Sequence, residues 1–211
     1  MNSCPLCSST ALSFFHRDKH REYLRCDVCQ LVSVPPAYLL SSVDEKAFYD
    51  HHENNSEDLG YRRFLGRTWD PLFERISPAM GGLDFGCGPG PTISVMAQES
   101  GIAMDNYDLY YFNRPELLER QYDFITMTEV IEHVADASAL LAQLNSMLKS
   151  NAVLAIMTKR VLSAEAFTHW HYKSDLTHIR FYSVATFEWI ANHFQWQLEV
   201  MDNDVVFFTK A

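Results

Sequence analysis

Nothing in this chain of 211 residues approaches the ~18 consecutive apolar residues of a membrane-spanning helix. The first residues also lack a basic stretch followed by an apolar one, so neither a span nor an export signal is expected, and the cytoplasm is the expected compartment. Positive charge is scarce: 17 Lys and Arg stand against 27 Asp and Glu, for a formal net charge of -10. Nonspecific nucleic-acid binding depends on neutralising phosphates, so this balance argues against it while leaving a local basic patch open. The low apolar content of a disordered chain is missing too. At 47% hydrophobic and 13% aromatic there is ample material for one core plus a small appendage, and too little length for two enzymes.

Cysteine is sparse, and its placement is informative. Four of the five cysteines form two knuckles, Cys4-Pro5-Leu6-Cys7 and Cys26-Asp27-Val28-Cys29, with residues 8–25 between them. That spacing is expected of a four-thiolate zinc site. Two disulfides are the alternative, disfavoured in a chain without an export signal. Leu12 to Phe15 and Glu22 to Arg25 read as the strands of a zinc ribbon over residues 1–34. So small a unit cannot bury enough surface to fold alone, so structural Zn2+ would supply its folding energy. The fifth, Cys87, reads as packing.

Glycine is rare as well, yet three of the eight alternate at Gly86, Gly88 and Gly90, directly after the apolar run that ends in Asp84. A strand, a tight loop and a helix from Thr92 to Ser100 follow from that pattern. A dinucleotide loop would place a small residue where Pro91 stands and would bring pyrophosphate near the Asp84 carboxylate, and both details argue against it. The loop resembles the first motif of class I methyltransferases, whose donor, S-adenosylmethionine, has an ammonium and a sulfonium for Asp84 to attract. Ile102 to Asp108 reads as the next strand, with Asp108 placed to receive two ribose hydroxyls and Asp105 as its rival. Residues 122–133, Tyr-Asp-Phe-Ile-Thr-Met-Thr-Glu-Val-Ile-Glu-His, resemble the family's fourth strand and turn, which adds Glu129 and Val130 to the cofactor set.

The resemblance implies a Rossmann-like α/β sheet over residues 83–211 behind a helical linker and lid over 35–82. Tyr49, His52 and Tyr61 resemble the lid over the methionyl end; a solvated helix face is the competing reading. Only residues 109–121 separate Asp108 from Tyr122, too few for helix, strand and helix, so the third strand is expected to be reduced or missing, and with it the family's adenine contact. Ala137 to Leu148 reads as an amphipathic helix, Ala152 to Thr158 as a buried parallel strand, Ser183 to Phe194 as a capped helix, and Trp196 to Thr209 as a closing antiparallel hairpin. Phe64, Leu65, Trp69, Leu72, Phe73 and Ile76 recur at helical spacing and read as packing.

Acceptor chemistry is expected at the carboxyl ends of the strands. In one reading His133 or His178 removes a proton from the acceptor while Tyr172 and Asp175 orient it. In another, Glu129, Glu132, His133 and His178 hold Mg2+ or a similar ion, a set resembling that of small-RNA 3'-terminal 2'-O-methyltransferases and of some ubiquinone-pathway O-methyltransferases. A structural role for both histidines is the third. Trp170, Tyr172, Asp175, Thr177 and His178 resemble a segment of bacterial class I methyltransferases of unassigned substrate. The aromatics of 167–182 suit either a planar acceptor or ordinary core. The expected function is S-adenosylmethionine-dependent methylation of a small molecule, free or carrier-held. An RNA-directed enzyme with the ribbon as reader, motivated by the basic run 16–21, and a catalytically inactive binding protein are the alternatives.

Overall fold

The computed structural model describes residues 3–50 and 54–211. Leu12–Arg17 (β1) and Glu22–Cys26 (β2) form an antiparallel hairpin, with Leu12 opposite Cys26, Arg17 opposite Glu22, and a bulge between Phe14 and His16. Val32–Ser33 (β3) continues the sheet beside β2. The chain leaves through Pro35-Pro36 into Ser42–Tyr49 (α1), capped by the Ser41 side chain, and Leu59–Phe73 (α2), capped by Asp58. Helix α2 lays Leu65, Trp69 and Leu72 on the sheet at helical spacing. Phe73 falls off that stripe and is 42% exposed, which corrects its assignment to the packed set.

Gly81–Phe85 (β4) leads through the glycine loop to Thr92–Glu99 (α3) and Ala103–Tyr107 (β5). No third strand follows among the described residues. A 3-10 turn, Pro115–Glu119, occupies the short connection to Tyr122–Thr128 (β6). Ala137–Met147 (α4) and Leu148–Met157 (β7) come next; Asn151 supplies a left-handed residue at φ 62° where the chain enters the buried half of β7. After Ala164–Thr168 (α5) and Arg180–Phe181 (β8), Ser183 and Thr186 close a capping box on Val184–Phe194 (α6). Trp196–Val200 (β9) and Val205–Lys210 (β10) finish the chain as an antiparallel hairpin.

The six-stranded sheet runs β5-β4-β6-β7-β10-β9. β4 pairs in parallel with β5 on one side and β6 on the other, and β7 is parallel to β6; β10 is antiparallel to both neighbours. The winding therefore reverses at β4, and open sheets of this kind bind ligands in the crevice beyond the carboxyl ends of the strands at that point. No helix among the described residues is long and apolar enough to cross a membrane.

The ribbon does not have a core of its own. β3 pairs with β8, placing Val32 opposite Phe181 and Ser33 opposite Arg180. Cys4, Leu6, Cys26 and Leu31 share one buried cluster with Leu83, Ile125, Ile131 and Leu141. Tyr23, Val32 and Val34 share another with Phe167, Tyr172, Ile179 and Phe181. A ribbon this small buries its apolar back only against a larger body. The same cluster holds Phe167, Tyr172 and Phe181 with Trp170 against it, while Tyr182 joins the first cluster; none of these aromatics lines the crevice.

Candidate functional site

At the end of β4, Asp84 is 3% exposed and accepts the Thr126 hydroxyl of β6 at 2.7 Å. Burial pushes its carboxyl up to about 7, helped by nearby Asp108 and opposed by the Thr126 bond. Gly86 and Gly88 take φ values of 77° and 64°. A Cβ on Gly86 would lie 2.4 Å from Val130 Cγ2, so the loop needs glycine there on both counts. The Gly86 and Cys87 amides donate to the Tyr107 carbonyl at 2.8 and 3.2 Å, binding the loop to the end of β5. Asp108 then organises the next turn: its Oδ2 accepts the Gly88 amide at 3.0 Å, and its Oδ1 the amides of Tyr110 and Tyr111 at 2.8 and 3.1 Å. Gly90 is needed for another reason, because a Cβ there would lie 2.0 Å from the Asn54 carbonyl oxygen. Its lack of a side chain lets the segment before α2 close on the loop.

Asp84, Gly86, Gly88 and Asp108 face a cavity of about 890 Å³, within the size range of small-molecule sites. Of the residues singled out in the sequence, Tyr49, Tyr61, Asp84, Gly86, Gly88, Asp108, Glu129, Val130, His133, Asp175 and His178 line it. Gly90 and Tyr172 do not, and His52 lies outside the described residues. Of His133, His169, His171 and His178, only His133 and His178 reach the cavity. Sequence reasoning missed the wall on the β5 side: Leu109, Tyr110, Leu118 and Gln143, with the Gln143 amide donating to the Leu118 carbonyl at 2.8 Å. The apolar pair Leu117-Leu118 behind Pro115, in a connection too short for a helix, was the available signal. Leu39 and Leu40, on the chain leaving the ribbon, were missed as well. α1 is held against the cavity by Glu45, which accepts the Tyr49 and Tyr110 hydroxyls, each at 3.1 Å. No described lining residue is Lys or Arg, whereas Glu45, Asp84, Asp108, Glu129, Asp136 and Asp175 are all lining residues.

Beyond β6, Glu129 adopts φ 53° and its amide donates to the Met157 carbonyl at 2.8 Å, turning the chain sharply over β7. Behind the cavity wall, the Tyr172 hydroxyl meets Glu132 in a short contact, Glu129 Oε2 at 3.1 Å and the Thr158 hydroxyl at 3.2 Å. Burial raises Glu129 to about 7, with Asp204 adding to it, and raises Glu132 to about 8, with the Glu129 charge adding to that. One phenol proton cannot satisfy both acids. Glu129 Oε1 and Glu132 Oε2 are buried without a hydrogen-bond partner.

His133 Nδ1 lies 3.1 Å from the Thr177 carbonyl and His178 Nδ1 2.7 Å from the Tyr172 carbonyl. A carbonyl only accepts, so both Nδ1 atoms carry the proton and, in the neutral rings, Nε2 carries the lone pair. The two rings are 4.7 Å apart, and the Tyr49 ring meets His133 edge-on at 5.4 Å. Asp175 Oδ2 lies 3.8 Å from His178 Nε2. Burial opposes ionisation of Asp175, yet the Thr177 hydroxyl and amide, at 2.6 and 2.8 Å, hold it below the usual carboxylate range.

The cysteine cluster is a second candidate site. The sulfur atoms of Cys4, Cys7, Cys26 and Cys29 lie within 4.8 Å of one another, with 3.4 Å separating Cys4 from Cys29 and Cys7 from Cys26, and all four thiols are free. Tetrahedral coordination with Zn–S near 2.3 Å sets sulfurs about 3.8 Å apart, so the donors fit one zinc ion. All four positions would be filled by protein, the arrangement of a structural site.

A family described as a methyltransferase domain matches residues 59–199. No curated protein sequence matches the chain. Among solved structures, magnesium protoporphyrin IX methyltransferase from Synechocystis PCC 6803 with bound S-adenosylhomocysteine aligns with a TM-score of 0.55 at 14% identity, over 80% of this chain and 94% of that one. An S-adenosylmethionine-dependent methyltransferase from Archaeoglobus fulgidus aligns at 0.54 and 19%, over 73% and 75%. Human N-acetylserotonin methyltransferase in complex with S-adenosylmethionine aligns at 0.50 and 11%, over 81% and 57%. At these identities the alignments establish a shared fold.

Proposed function

Because the chain belongs to the methyltransferase-domain family, we propose that it is an S-adenosylmethionine-dependent enzyme that methylates an amine, hydroxyl or carbon atom of a small molecule, free or held on a carrier. One observation carries the reading. The glycine loop, Asp84, Asp108 and Glu129 face the same cavity as His133, Asp175 and His178, so a donor half and an acceptor half share one space. S-adenosylmethionine supplies an activated methyl group on a cationic sulfur. The residues on the donor side suit it: Asp84 and Glu129 present carboxyls to the cationic end, Asp108 is the candidate for the ribose, Gly86 and Gly88 permit close approach, Val130 packs below, and Tyr49 and Tyr61 cover. Leu109, Tyr110, Leu118 and Gln143 form a wall for the base in place of the lost strand.

On the acceptor side a histidine with its lone pair on Nε2 can take the proton that methylation releases, and the protonated ring would be stabilised by Asp175. Tyr172 acts through its carbonyl, which fixes His178, and through its hydroxyl, which holds the Glu129–Glu132 pair. The lid and buried walls exclude water and hold the acceptor in line, which is the larger part of what methyl transfer requires.

The absence of Lys and Arg from the described lining supports a small acceptor over RNA, since a polyanion would meet carboxylates. The basic run that motivated an RNA reader is partly consumed internally: Arg17 pairs with Glu22 at 2.7 Å, and Arg21 is buried. A second reading, a divalent ion at Glu129, Glu132, His133 and His178, is supported by donor atoms of Glu132, His133 and His178 lying within 4.8 Å of one another. Calorimetric titration with S-adenosylhomocysteine tests the main reading: binding in the micromolar range is expected, and none at millimolar ligand would refute it. Titration with Mn2+, followed by electron paramagnetic resonance, tests the ion; binding equal in wild type and Glu132→Gln would reject that site.

A further inference from the structure

We propose that the ribbon is the rigid backing of the acceptor wall, and that Arg21 is its positioning residue. The proposal rests on reading the cavity as the methyl-transfer site. Arg21 lies at the start of the β2 arm of the hairpin and is 3% exposed. Its Nη1 donates to the Leu176 carbonyl at 2.8 Å, its Nη2 to the carbonyls of Lys173 and Asp175 at 2.9 and 2.8 Å, and its Nε to the Tyr23 hydroxyl at 3.0 Å. Tyr23 in turn donates to Asp18 Oδ2 at 2.7 Å, and Asp18 Oδ1 accepts the amides of His20 and Arg21 at 2.8 and 3.0 Å. The guanidinium is therefore fixed from behind and uses its planar fork on main chain in front.

The segment it grips, 173–176, is flanked by the two carbonyls that orient the cavity histidines. Tyr172, just before it, accepts from His178 Nδ1 at 2.7 Å; Thr177, just after it, accepts from His133 Nδ1 at 3.1 Å. A side chain of the ribbon thus sets the main-chain shape that fixes the tautomer of both rings. Arg180 forms a second tie, donating to Ala135 O at 2.7 Å and to Val34 O at 3.2 Å, which joins the chain after His133 to the exit of the ribbon. The Val34 amide donates to the Ile179 carbonyl at 3.0 Å, and the Ile179 amide to the Glu132 carbonyl at 2.9 Å. Ribbon, 173–179 loop and post-β6 turn are one continuous hydrogen-bonded unit. The glycine loop and Asp108 share none of these bonds; on the donor side, Glu129 is tied to the unit through the Tyr172 hydroxyl at 3.1 Å.

The test uses the full chain with zinc and no other added metal, comparing wild type, Arg21→Met, which keeps the aliphatic stem, and Arg21→Lys, which keeps the charge. In Arg21→Met, S-adenosylhomocysteine affinity is expected to stay within about twofold, since the glycine loop and Asp108 make no bond to the gripped segment. Hydrogen exchange over 170–180 is expected to rise about tenfold relative to 84–95 as buried charge-assisted bonds are lost. Nitrogen-15 long-range NMR of the histidine rings is expected to show His178 and His133 changing from one tautomer to a mixture, with Arg21→Lys intermediate. Unchanged exchange and tautomers would overturn the proposal, as would equal loosening of 84–95 with loss of affinity. If Arg21→Met does not fold, zinc is withdrawn from wild type with a chelator: loosening of 170–180 before 84–95 supports the proposal, and simultaneous loss overturns it. Failure of wild type to bind S-adenosylhomocysteine would refute the methyltransferase reading alone, leaving the exchange and tautomer comparison to judge the clamp.

Discussion

Gly86→Ala offers a quantitative test of the loop on which the donor half depends. Holding alanine at φ 77° costs about 1–2 kcal/mol, because its Cβ crowds the following carbonyl. The new Cβ would also lie 2.4 and 2.9 Å from the two γ-carbons of Val130. Ordinary carbon contacts begin near 3.5 Å, so the intrusion is about 1 Å and belongs with overpacking penalties of about 1–3 kcal/mol. The sum is a loss of about 2–5 kcal/mol. Val130→Ala removes both offending carbons and leaves the backbone conformation alone. The double variant should therefore recover most of the roughly 1–3 kcal/mol packing term relative to additivity, retaining the dihedral cost and a tight 3.2 Å approach to the Cβ of position 130. Urea unfolding of the four proteins with zinc present, read from the midpoints at equal slope, gives the coupling energy. A costly Gly86→Ala with zero coupling would show that the strain lies elsewhere, and a neutral Gly86→Ala would show that the loop does not hold this conformation in solution.

Asp84 predicts the pH dependence of cofactor affinity. Its folded pKa of about 7 lies above the ordinary carboxylate range, so it is mostly protonated below that pH; the ligand's ammonium favours the ionised form, and affinity for S-adenosylhomocysteine, which keeps the ammonium but has a neutral sulfur, should rise through pH 6–8 and then level off, with up to about a tenfold loss at pH 6. A flat profile in calorimetry, or one unchanged in Asp84→Asn, would refute this. Asp108→Ala removes the acceptor of three amides and the proposed ribose partner, so affinity should fall about tenfold to a hundredfold; a change under twofold would remove Asp108 from the cofactor site. Metal analysis should find one zinc per chain, lost in Cys4→Ser with Cys26→Ser, and exchange protection should fall over 170–182 together with residues 3–35; loosening confined to residues 3–35 would refute the shared core.

Chemistry that depends on neighbours in the chain was legible beforehand. Asp84, Gly86 and Gly88 could be read because a strand end, two left-handed glycines and a helix start must be consecutive to make such a loop. The lost third strand followed from chain length alone, since residues 109–121 cannot span a helix and a strand, and the structure has a 3-10 turn there. The cysteine knuckles were readable because a four-thiolate site demands short local spacings within each pair. Ser183 was readable because a cap acts within its own turn.

Roles set across the chain were not readable in this way. Arg21 looked like part of a basic run; its partner Lys173 stands 152 residues away, and only folding shows that its charge is spent on main-chain carbonyls. Phe167, Trp170 and Phe181 suited either a platform for an acceptor or ordinary core, and β8, paired with the ribbon, draws them into a core shared with Tyr23 and Val32. Gly90 looked like a third ligand-facing glycine, whereas the Asn54 carbonyl is what occupies its missing side chain. The sequence by itself determined the order of elements, the glycine loop and the cysteine quartet, because each is enforced by contacts a few residues long. The tertiary structure decided which side chains reach the cavity and where the ribbon packs, because those depend on burial against partners that no local spacing identifies.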